Sequence, residues 1–280
     1  METITTYFSD MPTLHRTLLL VGGLTFFFLI EQAVPLFEIA YNRKRHTLQN
    51  VFFTLTTIVV NFALAFILVG AASWVYKAEF GVLHWLDLPL WAALIVGLLV
   101  MDFISSWLVH WVEHHVPWMW QFHLIHHTDQ HVDTTTANRH HPGESIIRVA
   151  FTTLGVVIAG APIWLIFVYQ SASVVMTQWN HSNMKMPTAV DRALSWVLCT
   201  PNMHRVHHHY RQPYSDMNYG NIFSIWDRLF GTYIEVDNAK LRYGVDTHME
   251  PQEAGRIASL LRIPFKKYRG HIKYEREEVL

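Results

Sequence analysis

Three stretches of the chain are apolar for long enough to cross a bilayer, which takes about 20 mostly apolar residues in a helix. They run from about Thr17 to Ala40, Val51 to Tyr76 and Pro89 to Val109. The first carries Glu31, Gln32 and Pro35, so its second half is expected to face protein rather than lipid. A fourth apolar region, Ile146 to Trp179, would reach about 50 Å as one helix, too long for a hydrocarbon core of about 30 Å. "AGAP" at Ala159 to Pro162 interrupts it, because proline cannot continue the helical hydrogen-bond ladder. The pattern predicts two shorter helices folded as a hairpin that enters and leaves on one side.

Basic residues assign that side. "YNRKRHTLQN" between the first two spans holds Arg43, Lys44 and Arg45, whereas "KAEFGVLHWLD" between the next two holds only Lys77. The positive-inside rule makes the first of these loops cytoplasmic. The third span then returns to the cytoplasm at His110, and the chain emerges there again near His181. The start, "METITTYFSDMPTLHR", lacks the basic residues and small-residue cleavage site of a signal peptide.

Composition fits a membrane protein. Of 280 residues 51% are hydrophobic and only 15% charged, against about 25% charged in a soluble domain. A net charge of -1 argues against nucleic acid, which calls for a basic face. One cysteine, Cys199, excludes an internal disulfide and a thiolate-rich zinc cage.

The polar residues that stand out are histidines, 19 in all, and most lie where apolar segments end. His110 and His114 form H-x-x-x-H, one helical turn apart. His123, His126 and His127 form H-x-x-H-H, and His204, His207 and His208 repeat that pattern far downstream. His181, in "WNHSN", and His141, in "RHHPGE", are further candidates. A lone histidine of this kind is more often a hydrogen-bonded core or interface residue. Eight in three helically spaced boxes on one side cannot satisfy their lone pairs with one another, but two metal ions can take them up. Imidazole suits zinc, copper, iron and nickel alike. The chain has no Glu-x-x-His pair, so the carboxylate-bridged bundle architecture is excluded.

The order of these boxes resembles the fatty acid hydroxylase/sterol desaturase superfamily of integral membrane di-iron oxygenases. "TTTANRHHPGE" is similar to the family segment ending in His-Pro-x-Glu, with His141 and Glu144 on the matching positions. "TPNMHRVHHHYRQPYSDMNYGNIFSIWDRLFGTY" is similar to its C-terminal signature almost throughout, and the likeness covers about Asp102 to Tyr233. It implies metal ligation by His110, His114, His123, His126, His127, His181, His204, His207 and His208, and also by His141. Asp102 is expected to orient a ligand ring from the preceding helix, and Asp216 and Asn218 from the C-terminal side. For Trp226 and Phe230 packing is the expected role. His209 stands where relatives often have serine, and His115, His131 and His140 add imidazoles outside the boxes.

The expected fold class is therefore all-α, a multi-pass membrane bundle of three spans plus a helical hairpin with a cytoplasmic histidine-rich metal-binding cap. Residues 1–112 form the spans, 113–145 the segment with the second box, 146–179 the hairpin and 180–280 the cap, together one catalytic unit. The resemblance implies two iron ions (Fe2+/Fe3+), with zinc as a possible substitute. It also implies O2, a lipid from the bilayer, and electrons from a separate donor that is cytochrome b5-like or a ferredoxin with its reductase. The location expected is the bacterial inner membrane, or the endoplasmic reticulum in a eukaryote, with the metal site on the cytoplasmic face. Hydroxylation is favoured over desaturation; sterols, triterpenoids, acyl chains, alkylglycerol ethers and carotenoids all stay open as substrates. Two rival readings remain. His110 to His114 also fits H-x-x-E-H, a zinc hydrolase motif with Glu113 as general base. Intramembrane histidine and aspartate also suit a metal or proton transporter. The basic tail with Arg262, Lys266, Lys267 and Arg269 suits anionic headgroups or an acidic donor, and plain cytoplasmic charge suffices to explain it.

Overall fold

Phenylalanines that a soluble helix would bury point outward here. On the 36-residue helix Arg43–Ala78, Phe62 is 84% and Phe66 70% exposed, while Asn50 on the same helix is fully buried. Apolar out and polar in is the pattern of a surface that meets lipid. The protein was analysed as a computed structural model, which describes residues 2–270 and 272. All regular elements among these residues are helical. Four helices are long and apolar enough to cross a membrane: Thr13–Ala33, Arg43–Trp85, Leu90–His115 and Pro142–Ala159.

The chain begins with α1 (Glu2–Ser9) and α2 (Thr13–Ala33), followed by α3 (Arg43–Ala78) and a single turn, α4 (Val82–Trp85). The first span ends at Ala33 rather than Ala40, because Pro35 disfavours helical geometry in the residue before it. Glu31, buried as expected, accepts the amides of Thr134 and Asn183 at 3.0 Å each and pairs with Arg43 at 2.5 Å. Gln32 instead faces outward and donates to the Phe28 carbonyl. The second span starts earlier than its apolar run. Asn42 caps α3, accepting from the Arg45 amide, and the polar turns that follow extend the helix beyond the apolar core.

α5 (Leu90–Asp102), a π-helical turn (Phe103–Leu108) and α6 (Val109–His115) make the third long helix continuous. π turns often mark functional sites, and Ser105 and Ser106 of this one line the main cavity. After the turn at Val116, α7 (Pro117–His127) starts with proline at its first position, where no amide hydrogen is missed.

α8 (Pro142–Ala159) and α9 (Ile163–His181) form the expected pair, broken at Gly160 to Pro162. Gly160 has φ +70°, and a Cβ there would come within 2.8 Å of the Phe80 carbonyl. The reciprocal Cβ on Gly81 would meet the Gly160 amide at 2.4 Å, so the two turns close on each other backbone to backbone. The arms splay apart: α8 lies along α3 and α5, while α9 packs on α1 and α2. A cavity of about 550 Å³ fills the gap.

The remainder is the cap: α10 (Thr188–Leu194), α11 (Pro201–His207), α12 (Ile225–Leu229), α13 (Pro251–Ala254) and α14 (Ile257–Arg262). Fully buried Arg139 ties it to the bundle, donating to the Ile125 and Ala254 carbonyls, Asn50 Oδ1 and Thr128 Oγ1. Arg262, Lys266, Lys267 and Arg269 of the basic tail lie in this cap, and Arg269 pairs with Glu253 at 2.7 Å. The tail beyond Gly270, apart from Ile272, falls outside the described residues.

Candidate metal centre

Helical spacing decides which rings meet. α6 and α7 fold back on each other, so that His110 and His114 face His123 and His127. His207 of α11 joins them, its ring 4.4 Å from that of His110 and 4.6 Å from that of His127. A second group holds His126, His181, His204 and His208. Within each group the ligand nitrogens lie within 4.8 Å of one another. The boxes are thus divided. Residues i and i+4 of H-x-x-H-H enter one group and i+3 the other, because three residues turn a helix too little, and four too far, to point one way.

The outer nitrogens fix the tautomers. His110 Nδ1 donates to the Tyr219 carbonyl, His207 Nδ1 to that of Met217 and His181 Nδ1 to that of Thr177, at 2.7–2.8 Å. His123 Nδ1 meets Glu144 Oε1 at 2.8 Å and His114 Nδ1 meets Asp216 Oδ1 at 3.0 Å. A carbonyl can only accept, so Nδ1 carries the proton and Nε2 is left with a bare lone pair. These lone pairs then face one another. Nε2 to Nε2 distances are 3.1 Å for His110–His123, His114–His127 and His123–His127, and 3.0 Å for His126–His181. Two lone pairs at such a distance repel unless a cation lies between them. His207 Nε2 and both ring nitrogens of His208 are buried and find no hydrogen-bond partner among the described residues. Ring nitrogens gathered in this way, with His110, His114, His123, His181 and His207 braced from behind, are the donor set that a metal ion completes. The residues fit two such ions.

Burial also keeps the rings neutral. It pushes His123 down to about 3 against the opposing pull of Glu144. It holds His126, His127, His204, His207 and His208 well below the ordinary range, with neighbouring imidazoles adding to the effect. A neutral imidazole is the form that binds metal.

Two expectations need correction, His141 and Asp102, and a third, Asn218, is met through the backbone. His141 enters neither group: its Nδ1 accepts the Gly143 amide at the start of α8, and its ring lies against Phe122. The preceding His140 is nearer, its ring 4.8 Å from that of His126, with Nδ1 donating to Glu144 Oε1 at 2.7 Å. Asp102 orients no histidine; it accepts the amides of Ile222 and Phe223 and the indole of Trp226. Asn218 touches no imidazole through its side chain, which staples Met203 to Ile234. Its backbone, left-handed at φ +56°, does the orienting instead: its own carbonyl meets His204, and the carbonyls on either side of it point toward His207 and His110. Asp216 meets His114 as expected. His115 stacks on Trp111, His131 on Tyr41, and His209 turns to Arg211, all outside both groups.

Glu113, the base of the hydrolase reading, is buried and paired with Arg148 at 2.6 Å. Arg148 also pairs with Glu144 at 2.9 Å, so both carboxylates belong to one brace behind His123. Asp227 was not anticipated. It accepts from the Tyr219 and Gly220 amides, the Trp107 indole and Thr232, and so holds the loop that aims His110. Its only sequence signal is an acid beside Arg228 in the largely apolar "SIWDRLF".

The family described as fatty acid hydroxylase matches residues 94–232. An ornithine lipid hydroxylase, OlsE, of Rhizobium tropici is 24% identical over 80% of this chain and 69% of its own length. Alkylglycerol monooxygenases of Xenopus tropicalis and Homo sapiens are 33% and 30% identical over 53% of this chain each. The match spans only 31% and 32% of those two relatives. No solved structure matches the chain. Over residues 94–232, the segment that carries every histidine of both groups, the chain belongs to the fatty acid hydroxylase family.

Proposed function

We propose that this protein is a membrane-bound lipid hydroxylase whose two histidine groups each hold an iron ion. The observation that carries the reading is the set of Nε2 atoms facing one another at 3.0–3.1 Å, with the rings of His110, His114, His123 and His181 aimed by acceptors behind them. His110, His114, His123, His127 and His207 hold one ion; His126, His181, His204 and His208 hold the other. When bound, the irons supply oxygen activation with electrons that this chain does not store. The reaction balances as one oxygen atom of O2 inserted into a C–H bond and the other released as water, with two electrons and two protons consumed. The names of the relatives, hydroxylases and monooxygenases, support hydroxylation over desaturation.

The residues of the chain bind, orient and exclude. Glu144 and Asp216 hold two rings in the tautomer that leaves Nε2 free, and the buried site keeps water from the reacting carbon. The lipid reaches it through the cavity between α3, α8 and α9, where His110, His126, His181 and His204 form part of the wall. Electrons come from a separate donor, cytochrome b5-like or a ferredoxin with its reductase. The basic residues Arg43 to Arg45 support a cytoplasmic site, in a bacterial inner membrane or in the endoplasmic reticulum. Spans, hairpin and cap act as one catalytic unit, since each histidine group draws on several of them.

Isotopic oxygen separates this reading from hydrolysis. Membranes holding the full chain, supplied with labelled O2 in ordinary water, are expected to yield a lipid carrying one labelled oxygen. Label arriving from water instead would favour the hydrolase, and its base Glu113 would then have to leave Arg148.

A further inference from the structure

The third span and α9 serve as depth gauges. Trp74 and Tyr76 at the end of α3, Trp85 of α4 and Trp91 of α5 all stand exposed, and such rings gather at the edge of a bilayer. The tip of the α8–α9 hairpin closes on the same end of the bundle through Gly81 and Gly160. That end marks one face of the hydrocarbon core, which is about 30 Å thick.

Part of the cap is held well below the other face. Phe230 stacks at 5.6 Å on Phe103 and 4.5 Å on Trp107. Those two residues lie 12 and 16 positions after Trp91, about 18 and 24 Å along the span. Asp102, one position deeper, accepts from the Ile222 and Phe223 amides and the Trp226 indole. On α9, Asn221 donates to Ser173 Oγ and accepts from Thr177, both at 2.8 Å. These partners lie 10 and 14 positions after Ile163, about 15 and 21 Å from the hairpin tip. Two helices thus give the loop from Asn221 to Phe230 the same level, inside the core by about 6 Å or more.

What this loop turns outward is apolar. Leu229 is 70% exposed, and Phe230 beside it is exposed too. Trp196, 63% exposed, and exposed Val197 stand next to them. The Val197 carbonyl accepts the Ser224 amide, and the Ser195 carbonyl accepts from Ser224 Oγ and Arg228. The Arg228 guanidinium lies 4.2 Å from the centre of the Trp196 ring, on an arm that can reach up to headgroups. Down the third span, about two turns below Phe103, Ile95 continues the exposed apolar surface.

The geometry points to a cap that is partly sunk in the bilayer: Trp196, Val197, Leu229 and Phe230 lie among acyl chains beside the third span. This rests on the membrane reading above and adds to it the depth of the cap. In water the four side chains would form an exposed apolar patch, whereas acyl chains cover them without cost. The loop that aims His110 through the Tyr219 carbonyl is thereby seated in lipid as well as in protein.

Spin labels read the depth. Cys199 is fully buried, so a cysteine added to the full chain carries the label alone, here in phosphatidylcholine vesicles. Phe62→Cys on the outer face of α3 reports acyl chains, and Lys240→Cys, exposed on the cap, reports water. Leu229→Cys and Val197→Cys are expected to relax with dissolved oxygen as strongly as Phe62→Cys. A water-soluble nickel chelate, which hydrocarbon excludes, is expected to reach them about fivefold less than Lys240→Cys. Nickel access equal to that of Lys240→Cys, or shielding from both reagents as a second copy of the chain would give, overturns the inference while Phe62→Cys still reports lipid. Free nickel access at Phe62→Cys would overturn the membrane reading with it.

Discussion

His123 gathers more of the site than any other residue. Its Nε2 lies 3.1 Å from the Nε2 atoms of both His110 and His127, and its Nδ1 is held by Glu144, which Arg148 and His140 hold in turn. Removing such an outer partner typically costs a metal site about 10–100-fold in affinity. Asp216→Ala, which frees the His114 ring, is expected to weaken iron binding by about that factor and to leave the thermal midpoint nearly unchanged. Titration of the metal-free protein with Fe2+ checks this, and an unaltered affinity would show that Asp216 does not aim the ring. Acid has a definite sign here as well. The His123 ring sits at about 3 in the fold, against about 6.5 in an unfolded chain. The unfolded state therefore binds protons first, so the stability due to the neutral ring is whole above pH about 6.5 and lost as pH falls toward about 3. Metal binding, which needs the same neutral form, follows the same direction. Iron content is expected to hold from pH 8 down to about 5 and to drop as the pH falls toward about 3; iron lost on raising the pH would contradict it.

At the scale of elements, the loop from Asp216 to Asp227 and the helices α6, α7 and α11 make the centre. Asp102 anchors that loop from the third span, and it is there that sequence reasoning erred. Asp102 precedes the first box on an apolar helix, so a ring seemed its natural partner. Its partners are instead two backbone amides and an indole far along the chain, and backbone partners leave no mark in residue types. The same reason hid the Met217, Tyr219 and Thr177 carbonyls. Asp102→Ala would strand three donors, one buried and two part-buried, and is expected to cost about 3 kcal/mol of stability, read as a lower thermal midpoint, with iron lost as the Tyr219 carbonyl shifts. A midpoint within about 1 °C of the parent would show that the loop needs no such anchor. What was legible is equally physical. Apolar runs marked the long helices, proline and glycine marked the break in the hairpin, and i, i+3, i+4 spacing marked the boxes. Division of the two H-x-x-H-H boxes between two groups was not legible, since it depends on how α6, α7 and α11 cross.

At the scale of the molecule, apolar exposure and a polar interior describe a protein solvated by lipid around most of α2 and α3. Sidedness, read from Arg43 to Arg45, can be tested because Cys199, the single cysteine of the sequence, is fully buried and silent to reagents. A cysteine placed at exposed Lys240 is expected to react with a membrane-impermeant maleimide only from the cytoplasmic side. Labelling from the opposite face would invert the orientation. The proposed chemistry depends on nine histidines holding two irons. Iron analysis of the purified full chain, combined with X-ray absorption at the iron edge, tests that claim most directly. Two irons per chain in a shell dominated by imidazole nitrogen is the predicted result. A single metal per chain, or a shell made mainly of carboxylate oxygen, would contradict it.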